Sequence, residues 1–233
     1  VRVKVRKRDI PADILRGENG NDILNGDAGD DILYGGANAD AMNGGADTDT
    51  ASYLLATAGV TINLTTGTHT GEAAGDTFTS IERFQLSNGF TLADSFTGSA
   101  GDDWVAGYKG VDTLNGMGGN DTLNGGAHDD IINGGDGADR IIGDTGNDSL
   151  TGGTGADQFR VTTMAFGADT IADFENGVDK IRVTGVAAWN DFSDVVVSTN
   201  GSGWAVVTFS DGSSITLTGM IATDVDASDF LWI

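Results

Sequence analysis

The sequence predicts an all-β solenoid: nonapeptide repeats wound into a thin, two-sided coil, capped by a C-terminal antiparallel, β-sandwich-like segment. Three observations predict it. Glycine and aspartate recur every nine residues, as in GGDGADRII (134–142), GDTGNDSLT (143–151) and GGTGADQFR (152–160). A fixed short period marks stacked repeats. Glycine fills 37 of 233 positions while proline occurs once, as Pro11, unlike collagen or a proline-rich linker. Beyond Val161 the period gives way to alternating strands separated by turn residues.

Residues 1–12 open with VRVKVRKR, which carries Arg2, Lys4, Arg6, Lys7 and Arg8, five of the twelve basic side chains. The stretch has no apolar signal core and does not begin with Met, so it reads as a basic strand left from a longer chain. The formal charge is −23, and from Asp9 onward seven basic side chains face 35 acidic ones, a balance of −28. Such a chain repels itself and resists compaction in plain water. It is a poor partner for DNA, RNA or an acidic membrane surface. Cysteine is absent, so there is no disulfide framework. No run of 18 apolar residues is present to span a membrane as a helix.

Residues 13–52 form a first repeat block and 89–160 a second. With the first glycine as position 1, the blocks include GENGNDILN (17–25), GDAGDDILY (26–34), GMGGNDTLN (116–124) and GGAHDDIIN (125–133). Glycine at positions 1, 2 and 4 suits tight turns with positive φ. Where position 4 is not glycine it is Asn38, Asp47 or His128, types that tolerate left-handed backbone. Positions 7–9 read as a short strand with position 8 inward: Leu24, Leu33, Met42, Val105, Leu114, Leu123, Ile132, Ile141, Leu150 and Phe159. Residues 53–88 lie between the blocks and keep the nine-residue phase. Aspartate occupies position 6 in 14 of the 17 units from Arg8 to Arg160, the exceptions being Ala58, Gly67 and Gln85. The phase favours a β-segment that continues the coil with few metal turns, over an insertion of matching length.

Position 6 faces the turn, where stacked aspartates would repel one another. A hard divalent cation removes that difficulty. Ca²⁺ accepts carboxylate and carbonyl oxygens in flexible geometry, Mg²⁺ demands stricter octahedral geometry, and Zn²⁺ prefers His and Cys, which this chain hardly offers.

These residues resemble the RTX, or haemolysin-type, calcium-binding proteins, whose nonapeptide is GGxGxDxUx. Eleven copies in one phase carry the resemblance, which covers residues 13–52 and 71–160 by motif. It implies a parallel β-roll in which 18 residues make one coil and Ca²⁺ sits between turns two repeats apart. Carried over, it pairs Asp22 with Asp40, Asp31 with Asp49, Asp94 with Asp112, Asp103 with Asp121, Asp112 with Asp130, Asp121 with Asp139, Asp130 with Asp148 and Asp139 with Asp157. Asp13–Asp31 and Asp76–Asp94 follow, each with one degenerate turn. The pairs imply roughly 6–10 calcium ions, with turn carbonyls completing each shell.

Residues 161–233 form the cap. GADTIADFENGVDKI (167–181) resembles the segment that closes the roll in serralysin-type RTX proteins, making Asp169 and Asp173 candidate ligands, with Asp179 ranked behind them. Residues 195–219 read as an antiparallel meander with turns at Asn200-Gly201 and Asp211-Gly212. The tail DASDFLWI resembles the uncleaved signal of type I secreted RTX proteins and also reads as an edge strand.

No HExxH, GxSxG or Cys–His pair occurs, and the only histidines are His69, read as a surface-loop residue, and His128. This chain is therefore expected to be non-catalytic. The resemblance implies a calcium-binding module that folds outside the cell and supports type I secretion of a larger extracellular protein, with calcium and the secretion machinery as partners. The alternative is the non-catalytic C-terminal part of a secreted enzyme (protease, lipase or alginate-modifying) or of a surface adhesin.

Overall fold

The computed structural model describes residues 4–6 and 12–233; the rest of the basic N-terminal stretch lies outside them. The chain is a parallel β-roll. One face is a single ten-stranded sheet built from Ile14–Arg16, Ile32–Tyr34, Thr50–Ser52, Arg83–Gln85, Trp104–Lys109, Thr122–Ala127, Arg140–Thr145, Gln158–Val161, Lys180–Val183 and Phe230–Trp232. The other face is split. A four-stranded sheet runs Lys4–Arg6, Ile23–Ala28, Ala41–Ala46, Thr77–Thr79. A nine-stranded sheet then begins at Thr61–Asn63, continues through Ser95–Thr97, Thr113–Gly118, Ile131–Asp136, Ser149–Thr154 and Ala168–Ile171, and ends in the meander.

Within each repeat block the step between paired strands is 18 residues, so equal positions of alternate repeats lie side by side. Leu24 pairs with Met42. Leu114 pairs with Ile132 and Ile132 with Leu150; Val105, Leu123, Ile141 and Phe159 pair in turn on the opposite face. Every position-8 side chain predicted to point inward is buried. The ladder runs further than positions 7–9 in many repeats, continuing through position 3, as in Trp104–Lys109.

Glycine serves two different needs in the turns. Asn38, Asp47 and His128 at position 4 have φ of 87°, 79° and 90°, as their residue types predict. Position 2 demands the same left-handed backbone even of Glu18, Asp27, Tyr108, Met117 and Asp144. Position 1 of the two repeat blocks does not: its glycines there have no positive φ, unlike Gly71 in the segment between, and the reason for them lies in the site described below.

The segment 53–88 joins the same sheets by a changed path. An unbroken 18-residue winding would place Val60 and then Phe78 between Met42 and Phe96, and His69 and Ser87 between Ala51 and Val105. Instead Phe78 pairs back with Met42 and Ile62 pairs forward with Phe96, while Phe84 alone bridges Ala51 and Val105. His69 and Ser87 offer no apolar side chain to fill the core place between Ala51 and Val105, and Phe84 fills it, although Ser87 is also buried. His69, expected in a surface loop, is half-buried: its Nδ1 accepts the Asn63 N–H at 3.2 Å and its ring meets Phe78 edge-on at 5.1 Å.

At the C-terminal end, Val195–Thr199, Ala205–Phe209 and Ser214–Leu217 form the antiparallel meander. Ser214–Leu217 then pairs parallel with Ala168–Ile171, so the meander extends one face of the roll. Phe230–Trp232 extends the other face against Ile181–Val183. Phe166, Trp189 and Phe209 pack between them, with ring centroids 4.7–6.3 Å apart.

All seven basic side chains beyond Asp9 (Arg16, Arg83, Lys109, Arg140, Arg160, Lys180 and Arg182) lie on strands of the ten-stranded sheet. Arg16, Arg83 and Arg140 flank inward core residues and are exposed, while Lys109, Arg160, Lys180 and Arg182 are half-buried. Among the described residues no helix is long and apolar enough to cross a membrane.

Candidate metal centre

The position-6 aspartates form ladders along both edges of the roll. On one edge the N–H of Asp13 donates to Asp31 Oδ1 at 2.6 Å, and that of Asp31 to Asp49 Oδ1 at 2.8 Å. Asp49 N–H then meets Glu82 Oε2 at 2.9 Å. The same edge resumes with Asp103, Asp121, Asp139, Asp157 and Asp179, each N–H donating to the next Oδ1 at 2.7–3.0 Å. On the other edge Asp22 donates to Asp40 and Asp40 to Asp76, both at 2.8 Å. A second run leads from Val60 N–H through Asp94, Asp112, Asp130 and Asp148 to Asp169. Both edges therefore break at the 53–88 segment.

The side chains expected to face the turn are tucked beneath it and buried. Their two oxygens differ. Oδ1 is held by the neighbouring N–H. Oδ2 of Asp31, Asp40, Asp49, Asp112, Asp121, Asp130, Asp139, Asp148 and Asp157 is buried with no hydrogen-bond partner. A buried carboxylate oxygen without a donor is costly. Burial is the largest cause pushing Asp112 and Asp121 up to about 7 and Asp130 to about 8. Asp49, Asp148 and Asp157 rise to about 6 for the same reason.

Position-1 glycine keeps the space beside Oδ2 open. A Cβ on Gly116 would lie 2.0 Å from Asp121 Oδ2 and 2.5 Å from the Gly134 carbonyl oxygen; one on Gly26 would lie 2.2 Å from Asp31 Oδ2 and 2.4 Å from the Gly44 oxygen. In the turns of Asp31, Asp49, Asp112, Asp121 and Asp139 one small space thus meets both a carboxylate oxygen and a backbone carbonyl oxygen, while beside Gly35, Gly125, Gly143 and Gly152 the nearest atom is the carboxylate oxygen of Asp40, Asp130, Asp148 or Asp157. Among the described residues no three His, Cys, Asp or Glu side chains converge, so backbone oxygens must supply most of any coordination shell. An all-oxygen, largely neutral donor set suits Ca²⁺ and not Zn²⁺.

The remaining sequence candidates divide. Asp169 continues one ladder, and burial pushes it up to about 8. Asp173 lies off the ladders, accepting the N–H groups of Gly152 and Gly153 at 2.9 and 2.8 Å. Asp179, ranked behind it, takes the ladder place after Asp157, with Oδ2 accepting Glu175 N–H at 2.8 Å. The step there is 22 residues, so the nine-residue frame could not reveal it. Glu82 was invisible for a similar reason. Asp94 stands in its ladder, but its Oδ2 accepts Ser87 N–H at 2.7 Å. Asp103 Oδ2 accepts Ser99 N–H at 2.8 Å, although the Gly98 space beside it remains.

The family model of the RTX calcium-binding nonapeptide repeat matches the chain in four copies, at residues 12–51, 88–123, 107–141 and 133–160. Among solved structures, the extracellular lipase LipA from Serratia marcescens is 20% identical over 96% of this chain, with a TM-score of 0.36. This chain covers 39% of the lipase chain. The AlgE6R3 subunit of the Azotobacter vinelandii mannuronan C5-epimerase is 27% identical, covering 61% of this chain and 80% of that one, with a TM-score of 0.40. No curated protein sequence matches. The family model thus covers the two repeat blocks, residues 12–51 and 88–160, and these are RTX calcium-binding nonapeptide repeats wound as a parallel β-roll.

Proposed function

We propose that this chain is a calcium-conditional folding module of an extracellular protein, exported by a type I route before it folds. The observation that carries this reading is the set of nine buried Oδ2 atoms without donors, lying within repeats of calcium-binding type. Asp31, Asp40, Asp49, Asp112, Asp121, Asp130, Asp139, Asp148 and Asp157 hold the ions, and in the turns of Asp31, Asp49, Asp112, Asp121 and Asp139 a backbone carbonyl oxygen shares the glycine-lined space. Bound calcium supplies positive charge where the stacked carboxylates otherwise repel. Asp22, Asp103, Asp169 and Asp173 complete the proposed set; Asp94, whose Oδ2 already accepts the Ser87 N–H, is left out of it.

One inward side chain per nine residues buries little apolar surface against the chain entropy it must order. Calcium binding and folding are therefore one event. Where calcium is scarce the acidic repeats stay extended and fit for export. At extracellular calcium, sites with Kd of about 10⁻⁴–10⁻³ M fill. Metal analysis after dialysis against millimolar calcium tests this: roughly 6–10 ions per chain are expected, and a chain that retains none would refute the reading.

A further inference from the structure

Not every ladder carboxylate is short of a donor. Asp76 occupies position 6 and accepts Asp40 N–H through Oδ1 like its neighbours, but its Oδ2 accepts the Tyr53 hydroxyl at 2.6 Å. Asp94 Oδ2 accepts Ser87 N–H at 2.7 Å. Neither turn keeps the glycine-lined space. The position-1 residues there are Gly71 and Gly89, and a Cβ on Gly71 would meet the Gly59 carbonyl, one on Gly89 the Leu92 side chain, with neither near an aspartate oxygen. These two turns are closed by the protein itself.

Both closed turns belong to the segment where the winding changes. Thr61–Asn63 pairs forward with Ser95–Thr97 while Thr77–Thr79 pairs back with Ala41–Asn43, and Arg83–Gln85 joins Thr50–Ser52 to Trp104–Ala106. The segment therefore grips both repeat blocks. Its interior is also denser than that of a repeat. Tyr53, Val60, Ile62, Ala73, Phe84, Leu86 and Phe96 are buried together, and the rings of Phe78, Phe84 and Phe96 stand 5.2 Å apart in sequence. Apolar burial here replaces what metal supplies in the repeats.

We propose that residues 53–97 form a calcium-independent staple, which divides the roll into two separately loading calcium blocks, Asp31–Asp49 and Asp112–Asp157. This rests on the reading that the open turns bind calcium. Asp103, whose Oδ2 is held by Ser99 but whose glycine-lined space persists, marks the border of the second block. Folding spreads from the staple in both directions as calcium arrives.

Hydrogen exchange of the full chain, read by mass spectrometry in chelator and in millimolar calcium, tests this. In chelator, peptides from 53–97 keep their protection while those from 26–50 and 107–160 exchange freely. Loss of protection in all three regions together would overturn the staple and leave the calcium reading standing. Full protection of all three in chelator would overturn both. Tyr53→Phe leaves Asp76 Oδ2 buried without a donor, so exchange of 53–97 in chelator accelerates about tenfold, with 107–160 in calcium unchanged. Unchanged exchange of 53–97 in this variant would contradict the role given to Tyr53. Asp76→Asn and Asp94→Asn leave the number of bound calcium ions unaltered, whereas Asp121→Asn lowers it. A drop in that number for Asp76→Asn would refute the closed turn.

Discussion

At Asp121 the two oxygens of one carboxylate have opposite surroundings. Oδ1 accepts the Asp103 N–H at 2.7 Å, and Oδ2 is buried beside Gly116 with no donor. Two substitutions separate structure from metal here. Asp121→Ala removes both oxygens and should raise the calcium midpoint of folding about tenfold, measured by titration of the chelated protein. Gly116→Ala keeps the carboxylate but places a methyl group 2.0 Å from Oδ2. Since Gly116 has no positive φ, its effect is steric, a loss of about 1–3 kcal/mol in calcium-loaded stability. A Gly116→Ala protein with unaltered calcium midpoint and melting temperature would show that the space beside Oδ2 is not used.

Acidity works in opposite directions on the two forms. In metal-free protein, burial holds Asp112, Asp121 and Asp130 at about 7–8 when folded, against about 3.9 for an ordinary aspartate. A carboxylate raised on folding favours the folded state fully below its unfolded pKa, and that contribution is lost as pH rises through the folded value. In chelator the extended repeats should therefore gain β-structure as the pH falls from 8 to 5. Calcium-loaded protein should lose stability over the same interval, because protons compete for the ligand oxygens. Circular dichroism of the chelated protein and melting curves of the calcium-loaded protein, each at both pH values, check this; a parallel response of the two forms would contradict it.

Among the elements, the strands were legible and their winding was not. Position 8 identified Leu24, Leu114 and Phe159 as core residues because side-chain direction follows directly from a two-residue alternation. The nine-residue phase across 53–88 suggested even coils. The pairing of Phe78 with Met42 and Ile62 with Phe96 depends instead on which apolar residues can fill a core that His69 and Ser87 cannot. Position-1 glycine was read as a conformational need, because the close approach of Asp121 Oδ2 to Gly116 exists only once the turn has closed. Strand pairing also sets Arg160 directly beside Arg182, each with its guanidinium Nε buried and without a partner. Neighbouring Arg182 and Arg140 add to burial in depressing the Arg160 pKa. Like charges on adjacent strands destabilise a sheet. Arg160→Gln should stabilise the calcium-loaded protein by about 0.5 kcal/mol at low salt, an effect that shrinks in high salt. A lower melting temperature for this variant would show that the arginine stem packs more than its charge repels.

For the whole molecule, charge is sorted by place. The ladder carboxylates line both edges, while the seven basic side chains beyond Asp9 sit on one face. None of these seven is therefore placed within the ladders to neutralise them, and an added cation does so in this account. Neighbouring coils share ladder bonds, which makes folding of each block cooperative. Circular dichroism of chelator-treated protein during calcium titration, with magnesium as control, tests this account most directly. The account predicts a cooperative gain of β-structure at roughly 0.1–1 mM calcium that magnesium does not reproduce; full β-structure of the repeats with chelator still present would contradict it.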